Sequence, residues 1–286
     1  MSRFEQLSHE LPLGPEVRVI DCNQDGLVAL DKPDGIMSHP NEHRDRKRSL
    51  LTAHYDFESE CFTWEVAGEA RKAWLLNRLD SPTSGVILLS LDQELSDVIK
   101  RQFASHKVTK VYYALCKNVP SAMTGKWNDS LNKDVYRGGR LVRGGLRVSA
   151  KTRYQVAKKP TGGFPVCLMK LMPLTGRTHQ LRVQCSKHRH PIVGDKTYGS
   201  FSFNREVAEV TGEARMMLHS AETIVHYVFK GKVGDFHVQS PLPQAFKTVI
   251  DFRPGLHHSS PARQQSSETK SAPGKSGLLE GRRFKQ

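Results

Sequence analysis

The chain has 286 residues, of which 37% are hydrophobic and 25% are charged, and its formal net charge at pH 7 is +14. This length supports one large domain or two small ones with a sizeable core. The longest apolar run, which begins at Val86 and ends at Leu91 at the latest, is much shorter than the roughly 20 residues of a transmembrane helix. The N-terminal segment contains Glu5, Glu10 and Pro12 without an apolar core, which argues against a secretory signal.

The cysteines indicate a reducing environment. Their number is odd and no two lie close in sequence, at Cys22, Cys61, Cys116, Cys167 and Cys185. This pattern argues against a disulfide framework and against a Cys-x-x-Cys zinc site. We therefore expect a cytoplasmic protein.

The positive charge is not confined to the C-terminal tail. Residues 254–286 carry a net charge of +4, so the remaining 253 residues carry +10. A basic body favours a nucleic-acid partner, because each contact with a phosphate releases condensed counterions. A charged surface that only maintains solubility is the alternative.

Composition divides the chain into three segments. Residues 1–16 are predicted to be an N-terminal arm, because regular patterning begins near Val17. Residues 17–253 are predicted to form the folded domain. Residues 254–286 are rich in Ser, Gly, Pro, Lys and Gln, which predicts a disordered basic tail that cannot bury enough apolar surface to fold.

The folded domain mixes strand and helix patterns in an irregular order. Predicted strands are, in chain order, Leu27–Leu30, Val86–Leu89, Val111–Leu115, Arg147–Ala157, Val166–Met172, Val225–Phe229 and Asp235–Val238. Asp92 is the predicted N-cap of one helix, with Leu95 and Ile99 on its apolar face, and Thr178 is the predicted cap of a second. This order predicts an α+β fold with a mixed, largely antiparallel sheet and peripheral helices.

The loop from Asn77 to Gly85 joins a polar turn to a predicted buried strand. Pro82 and Gly85 interrupt regular structure on either side of the turn. An aspartate held at the start of a strand, such as Asp80, can be presented rigidly to a cleft. The alternative is an aspartate that only caps a turn.

A second polar segment runs from Gly176 to Arg182, and His190–Asp195 follows it. The glycine is predicted to open the second helix, whose first turn carries Arg177 and His179. Free backbone amides and a guanidinium at a helix N-terminus favour phosphate binding, and one of the two arginines can reach an active-site carboxylate. An ordinary exposed basic helix is the alternative.

Two further segments suggest contacts with RNA. Tyr112 and Tyr113 point to opposite sides of a predicted strand, so one can pack in the core while the other stacks on a base. The segment Arg137–Arg147 contains four arginines and paired glycines. It is either a flexible cationic loop that follows an RNA backbone or the tip of a loosely ordered hairpin.

Several other functions find little support. The histidines come without a glutamate at metalloprotease spacing and without clustered cysteines, so no metal site is predicted. The glycine-rich segment lacks the Gly-Lys-Ser/Thr end of a phosphate-binding P-loop. A glycosidase needs two paired carboxylates, whereas a single carboxylate here lies in a distinctive motif.

Together, these segments resemble the RluA-type family of RNA pseudouridine synthases. The resemblance covers roughly residues 17 to 250, in the family's order. Asn77-Arg78-Leu79-Asp80-x-x-Thr83-Ser84-Gly85 is similar to the family's catalytic loop, and Lys110-x-Tyr112-x-Ala114 to one of its strands. The other similar motifs are Lys32-Pro33-x-Gly35 with His39-Pro40, Gly176–Val183, His190–Asp195 with Tyr198-Gly199, Leu218–Ala221 and Pro241-Leu242-Pro243. Asn77 stands where the family has histidine, and Arg189 where it usually has glycine.

The resemblance implies a pseudouridine synthase fold with a central active-site cleft, and a reaction without metal or organic cofactor. The glycosidic bond of a target uridine in ribosomal or transfer RNA breaks, the uracil turns, and its carbon 5 is rejoined to the ribose. Asp80 would be the catalytic carboxylate, as nucleophile or as base, and Arg182 would pair with it. Tyr112 would stack on the uracil and assist proton removal from carbon 5.

The resemblance also implies the partners. Arg78 would fill the space left by the extruded nucleotide. RNA contacts are predicted for Arg78, Lys110, Arg177, His179, Arg140 and Arg143. We expect RNA as the partner, no membrane, no obligate protein partner, and a monomer. One alternative is an RNA-binding protein of the same fold that has lost turnover. A DNA-binding factor is a weaker alternative, because helix-turn-helix and zinc-finger signatures are lacking.

Overall fold

Twelve strands form one mixed sheet in the part of the chain that the structure describes. The structure is a computed structural model that describes residues 3–137 and 140–254, with the side chains of residues 4–132 and 147–254. The strands are β1 (Arg18–Cys22), β2 (Leu27–Lys32), β3 (His54–Asp56), β4 (Cys61–Val66), β5 (Glu69–Leu75), β6 (Ser84–Ser90), β7 (Thr109–Lys117), β8 (Thr124–Arg137), β9 (Arg140–Lys158), β10 (Val166–Pro173), β11 (Leu218–Phe229) and β12 (Lys232–Gln239).

The sheet is almost entirely antiparallel. The strand order is β3-β4-β5-β6-β11-β7-β10-β9-β8, while β2 pairs with β1 and β6, and β12 pairs with β11. Among the twelve strands as described, the parallel pairing is the short one between β6 and β11, where Ser84 lies opposite His219 and Gly85 opposite Ser220. The predicted α+β fold with a largely antiparallel sheet is confirmed.

Helices surround the sheet. They are α1 (Arg3–Glu10), a 3-10 helix (His43–Arg48), α2 (Gln93–Ala104), α3 (Gln180–Lys187), α4 (Phe201–Thr211) and α5 (Gln244–Ile250). None of the helices in the described part of the chain is long and apolar enough to cross a membrane. In the segment that the sequence suggests is an arm, Leu7 and Leu11 are buried in the same apolar cluster as Val17.

The position of β6 at the centre of the sheet explains why the strand that follows the loop from Asn77 to Gly85 is so apolar. All seven residues of β6 are buried. Val86 and Leu88 pack with Leu95 and Ile99 of α2 on one face, whereas Ile87 and its neighbours on the other face join a separate cluster. Strand side chains alternate between faces, so a strand covered on both sides reads as a continuous apolar run.

The predicted elements are largely present. All seven predicted strands exist, and Asp92 caps α2 by accepting a hydrogen bond from the Leu95 amide at 3.0 Å. The start of the helix near Gly176 was predicted wrongly. Helix α3 begins at Gln180, and His179 before it has a left-handed φ of 54° without a side-chain cap. The chain therefore turns after Thr178, so Arg177 and His179 lie in the preceding loop.

The segment from Arg137 to Arg147 belongs to a long hairpin rather than a loop. Strands β8 and β9 are paired from Thr124 opposite Gln155 to Arg137 opposite Arg140. Ala150 and Thr152 are buried, whereas Ser149, Lys151 and Arg153 are exposed, as the predicted alternation requires. Residues 138–139, and residues 255–286 of the tail predicted over 254–286, lie outside the described residues.

Candidate active-site cleft

An open cleft lies among three segments of the chain. They are residues 37–48, residues 75–83 and residues 173–182, and Lys110, Tyr112 and Leu218 also line the cleft. Most of the motifs that carried the family resemblance therefore contribute side chains to the cleft, whereas His190–Asp195, Tyr198-Gly199 and Pro241-Leu242-Pro243 do not line it. The position of Asp80 within it depends on how the loop from Asn77 to Gly85 is held.

Two buried side chains fix this loop. The Ser38 hydroxyl donates to the Leu79 carbonyl at 2.7 Å and accepts from the Leu79 amide at 2.9 Å. The Lys32 ammonium donates to the carbonyls of Ile36 and Ser81, at 2.6 and 3.0 Å. Burial lowers the pKa of Lys32 to about 7. These contacts hold the backbone on both sides of Asp80, so the carboxylate is presented from a rigid turn.

Arg182 binds the carboxylate of Asp80. Its Nη1 donates to Asp80 Oδ2 at 3.0 Å, which is the ion pair that the sequence predicted. Its Nε and Nη2 donate to the two oxygens of Asp195, at 2.8 and 2.9 Å. Burial opposes the charge of Arg182, but Asp195 and Asp80 together raise its pKa. The guanidinium is therefore permanently charged and oriented by Asp195 towards Asp80.

The buried Asp195 carboxylate is itself charged. Burial would raise its pKa, but the hydrogen bonds from Arg182 and from the amides of Thr197 and Tyr198 hold that pKa below its usual value. Sequence reasoning assigned this residue no role, although it ends the His190–Asp195 motif. The motif was the available sequence signal for Asp195. Its pairing with Arg182 could not be predicted, because it depends on how α3 and the segment after it meet in the fold.

Tyr112 lies on the cleft side of β7. Burial raises its pKa to about 12, while a hydrogen bond to Ser220 acts in the opposite direction. The hydroxyl is therefore neutral near pH 7. The ring is partly buried and lines the same cleft as Asp80 and Arg182, which brings together the three predicted catalytic side chains.

Four of the predicted RNA-contacting residues, Arg78, Lys110, Arg177 and His179, line the cleft. The His179 Nε2 lies 3.8 Å from Asp80 Oδ2, and its Nδ1 lies 3.1 Å from the Tyr198 hydroxyl. Burial lowers the pKa of Lys110. The Arg177 Nε donates to the Ser149 carbonyl at 3.2 Å, which ties the cleft rim to the hairpin. Arg140 and Arg143 lie in β9, but their side chains are outside those described.

The two departures from the family have structural counterparts. The side-chain oxygen of Asn77 accepts a hydrogen bond from the Leu88 amide at 2.8 Å, so this residue binds the loop to β6. Arg189 has a left-handed φ of 67°, a conformation that glycine adopts without strain. Within the described residues, no three His, Cys, Asp or Glu side chains group as metal ligands would.

The chain has clear relatives among known proteins. Residues 26–187 match the family described as RNA pseudouridylate synthase. A tRNA pseudouridine synthase C of Vibrio cholerae is 32% identical over 208 residues, which span 68% of this chain and 80% of that protein. The dual-specificity RNA pseudouridine synthase RluA of Vibrio parahaemolyticus is 30% identical over 262 residues, 86% of this chain and 92% of that protein.

A solved structure supports the fold. The structure titled Human RNA Pseudouridylate Synthase Domain Containing 4 superposes with a TM-score of 0.60 at 21% identity, covering 87% of this chain and 94% of that one. The match to the family and the identity to these relatives agree with the motifs that meet in the cleft. The chain belongs to the RluA-type family of pseudouridine synthases and is an isomerase that acts on RNA.

Proposed function

We propose that this enzyme isomerises a uridine of transfer or ribosomal RNA in the cytoplasm, as a monomer, with Asp80 as its catalytic residue. The observation that carries the proposal is the Asp80 carboxylate held at 3.0 Å by Arg182 in an open cleft. The names of the relatives support the substrate class, since they act on tRNA or have dual specificity for RNA. The charge of +14 supports binding to a polyanion.

The target nucleotide must leave its stack to reach Asp80, at a cost of a few kcal/mol. Arg78 is exposed at the cleft and two residues from Asp80, so its guanidinium can occupy the vacated space in the RNA. Lys110, Arg177 and His179 also line the cleft, where they would contact the phosphates or the extruded nucleotide. Arg140 and Arg143 would extend this contact along the hairpin.

The chemistry begins with cleavage of the bond between ribose and uracil. Asp80 acts either as nucleophile at the sugar or as base in a glycal-type route. Arg182 holds and orients Asp80 in both routes through its hydrogen bond at 3.0 Å. The detached uracil turns against the Tyr112 ring, and carbon 5 bonds to the ribose and releases its proton. Burial raises the pKa of Tyr112 to about 12, so its hydroxyl is protonated near pH 7 and would relay the proton by passing its own to water as it accepts the one from carbon 5.

The test is a single-turnover assay with transfer RNA and ribosomal RNA from a strain that lacks the gene, labelled with tritium at uridine carbon 5. The wild type should release tritium, and Asp80→Asn should abolish release while RNA binding stays within about threefold, since the uncharged amide keeps the size of the side chain. Asp97→Asn, an exposed residue of α2, is the control. Substantial turnover by Asp80→Asn would refute the role of Asp80. An inactive wild type would favour a protein that only binds RNA.

A further inference from the structure

His39, in the wall of the cleft formed by residues 37–48, belongs to an aromatic cluster that the proposed chemistry does not use. The rings of His39 and Tyr55 are parallel, with centroids 4.9 Å apart and planes inclined by 6°. Phe57 lies edge-on to both, at 5.6 and 5.2 Å. We call these three residues the aromatic ledge. Its inner ring, Tyr55, is buried against Phe62, whereas Phe57 is 58% exposed.

The aromatic ledge has a fixed position relative to Asp80. His39 lines the cleft and directly follows Ser38, whose hydroxyl both donates to and accepts from the backbone of Leu79. Leu79 in turn directly precedes Asp80. Arg78 lines the same cleft as His39, and its charge lowers the pKa of the Tyr55 hydroxyl against the larger opposing effect of burial. A base that contacts the aromatic ledge would therefore lie next to the target nucleotide bound at Asp80.

A cationic segment adjoins the ledge. The 3-10 helix contains Arg44, Arg46, Lys47 and Arg48, and Arg48 lines the cleft. Arg44 pairs with Glu42 at 2.8 Å. In the part of the chain whose side chains are described, the other three cations form no ion pair with a carboxylate, so their charges are available to a ligand.

The charges around the ledge are unequal on its two sides. The turn that contains Phe57 is acidic, with Asp56, Glu58 and Glu60. A polyanion therefore binds with its phosphates towards the 3-10 helix and away from this turn. Bases of single strands stack on exposed aromatic rings while neighbouring cations follow the backbone. An exposed ring, a fixed second ring and cations without a carboxylate partner on one side fit this mode of binding.

The geometry points to a subsite for an unpaired nucleotide that flanks the target uridine. Its base stacks on Phe57 of the aromatic ledge with one edge towards His39, whose ring plane is inclined by 84° to that of Phe57, and its phosphates bind Arg46, Lys47 and Arg48. The inference rests on the proposed function, because it takes RNA as the substrate. It adds a requirement that the residues around Asp80 do not impose, namely that the nucleotide next to the target is single-stranded.

Binding of two probes tests the subsite. One is a fluorescein-labelled uridine octamer, and the other is an abasic ribose-phosphate chain of the same length, which has the charges but no bases. Phe57→Ala should weaken binding of the octamer about tenfold, as expected for the loss of one base stack, and change binding of the abasic chain by less than twofold. Phe57→Tyr, which keeps the ring, should bind the octamer like the wild type. Phe201→Ala, at a 63% exposed aromatic on α4, is the matched control.

Removing the cations of the 3-10 helix should affect binding differently from removing Phe57. The double variant Arg46→Gln with Lys47→Gln should weaken binding of both probes, and should make the log–log salt slope about 1.4 less negative, or about 0.7 for each lost contact. Phe57→Ala should leave this slope unchanged. Circular dichroism and melting of each variant check folding, which an exposed side chain should not affect.

Three results would overturn the inference: no measurable binding of the octamer by the wild type, an equal effect of Phe57→Ala and Phe201→Ala, or an equal loss with both probes. The turnover assay is separate. If the wild type forms no pseudouridine but its octamer binding depends on Phe57, the proposed function fails and the subsite stands. If the wild type is active and Phe57→Ala behaves like the control, the subsite fails and the function stands.

Discussion

Arg182 and Asp195 form a buried bidentate ion pair, in which the guanidinium Nε and Nη2 donate to the two carboxylate oxygens at 2.8 and 2.9 Å. Both side chains are almost fully buried, with 6% and 1% of their surface exposed. This pair leaves Nη1 of Arg182 as the donor to Asp80. The Asp80 carboxylate is therefore oriented by a group whose own orientation depends on Asp195.

Asp195→Asn should reduce both stability and turnover. The buried guanidinium would keep a hydrogen-bonding neighbour but lose half of its compensating charge, at a cost of about 2–4 kcal/mol in the free energy of unfolding. Arg182 would also be free to move towards Asp80, so the single-turnover rate should fall at saturating RNA while RNA affinity changes little. Urea denaturation and tritium release measure the two effects.

Asp251→Asn is the matched control for this prediction. Asp251 pairs with Lys158 at the surface, where the side chains are 50% and 41% exposed, and exposed ion pairs contribute about 0–1 kcal/mol. Equal effects of the two substitutions on stability, or an unchanged rate with Asp195→Asn, would contradict the orienting role of Asp195.

The sequence predicts the sheet and the ion pair between Asp80 and Arg182 but not the groups that hold them. Asp195 is recognisable only once α3 and the segment after it meet in space. The start of α3 was placed too early because a left-handed φ at His179 is not signalled by a glycine. The hairpin of β4 and β5 was missed for a similar reason. Ala67 and Gly68 both have positive φ at its turn, and alanine is not typical there.

Elements with a clear apolar pattern or a polar cap were easier to predict from the sequence than these turns. Strand β6 is buried on both faces and α2 has a polar N-cap, so local sequence and tertiary environment agree. The alternation in β9 also predicted its buried and exposed sides. The aromatic ledge was not predictable, because His39 and Tyr55 are sixteen positions apart and meet only through the fold.

Acid should destabilise the folded chain through His219. This side chain is fully buried, and its Nδ1 accepts a hydrogen bond from the Ser84 hydroxyl at 2.8 Å. Burial lowers its pKa to about 4, compared with about 6.5 in an unfolded chain. Between these values the unfolded state binds a proton that the folded state does not. Stability is therefore present above about pH 6.5 and is lost as the pH falls, by up to about 3 kcal/mol near pH 4.5.

A variant without the buried imidazole of His219 tests this pH dependence. Urea denaturation of the wild type and of His219→Gln at pH 7.5 and 4.5 should give a smaller loss of stability for the variant. His226→Gln, at a side chain with 70% exposure, should retain the wild-type pH dependence. A loss of equal size in all three proteins would mean that other groups cause the acid sensitivity.

Gly85→Ala should destabilise the fold at the loop from Asn77 to Gly85. Gly85 has a φ of +108°, and a Cβ there would lie 2.1 Å from the Ser220 carbonyl oxygen of β11. The clash and the strained backbone together should cost at least about 3 kcal/mol. Gly35→Ala is the control, since Gly35 also has a positive φ, +82°, but its Cβ would meet nothing within 4 Å. It should cost about 1–2 kcal/mol. Similar losses in urea denaturation would show that the contact between β6 and β11 can relax.

Asn77 replaces the family's histidine, and its contact indicates what that position does. Its side-chain oxygen accepts from the Leu88 amide at 2.8 Å, and Leu88 is fully buried. Asn cannot transfer protons near neutral pH, and the proposed chemistry takes no proton from residue 77. We therefore expect the wild type to be active. Asn77→His should change the rate by less than about tenfold, or ~1.4 kcal/mol in barrier height, because a ring nitrogen can accept the same bond.

Asn77→Ala should have the larger effect, because it leaves the Leu88 amide buried without its acceptor. Such a group costs about 1–3 kcal/mol, and here the cost falls on the loop that presents Asp80. Single-turnover tritium release from the RNA substrate compares the two variants with the wild type, and Asn128→Ala, at an exposed position of β8, controls for the loss of an amide elsewhere. If the wild type were inactive and Asn77→His restored turnover, the residue would have a chemical role that hydrogen bonding cannot supply.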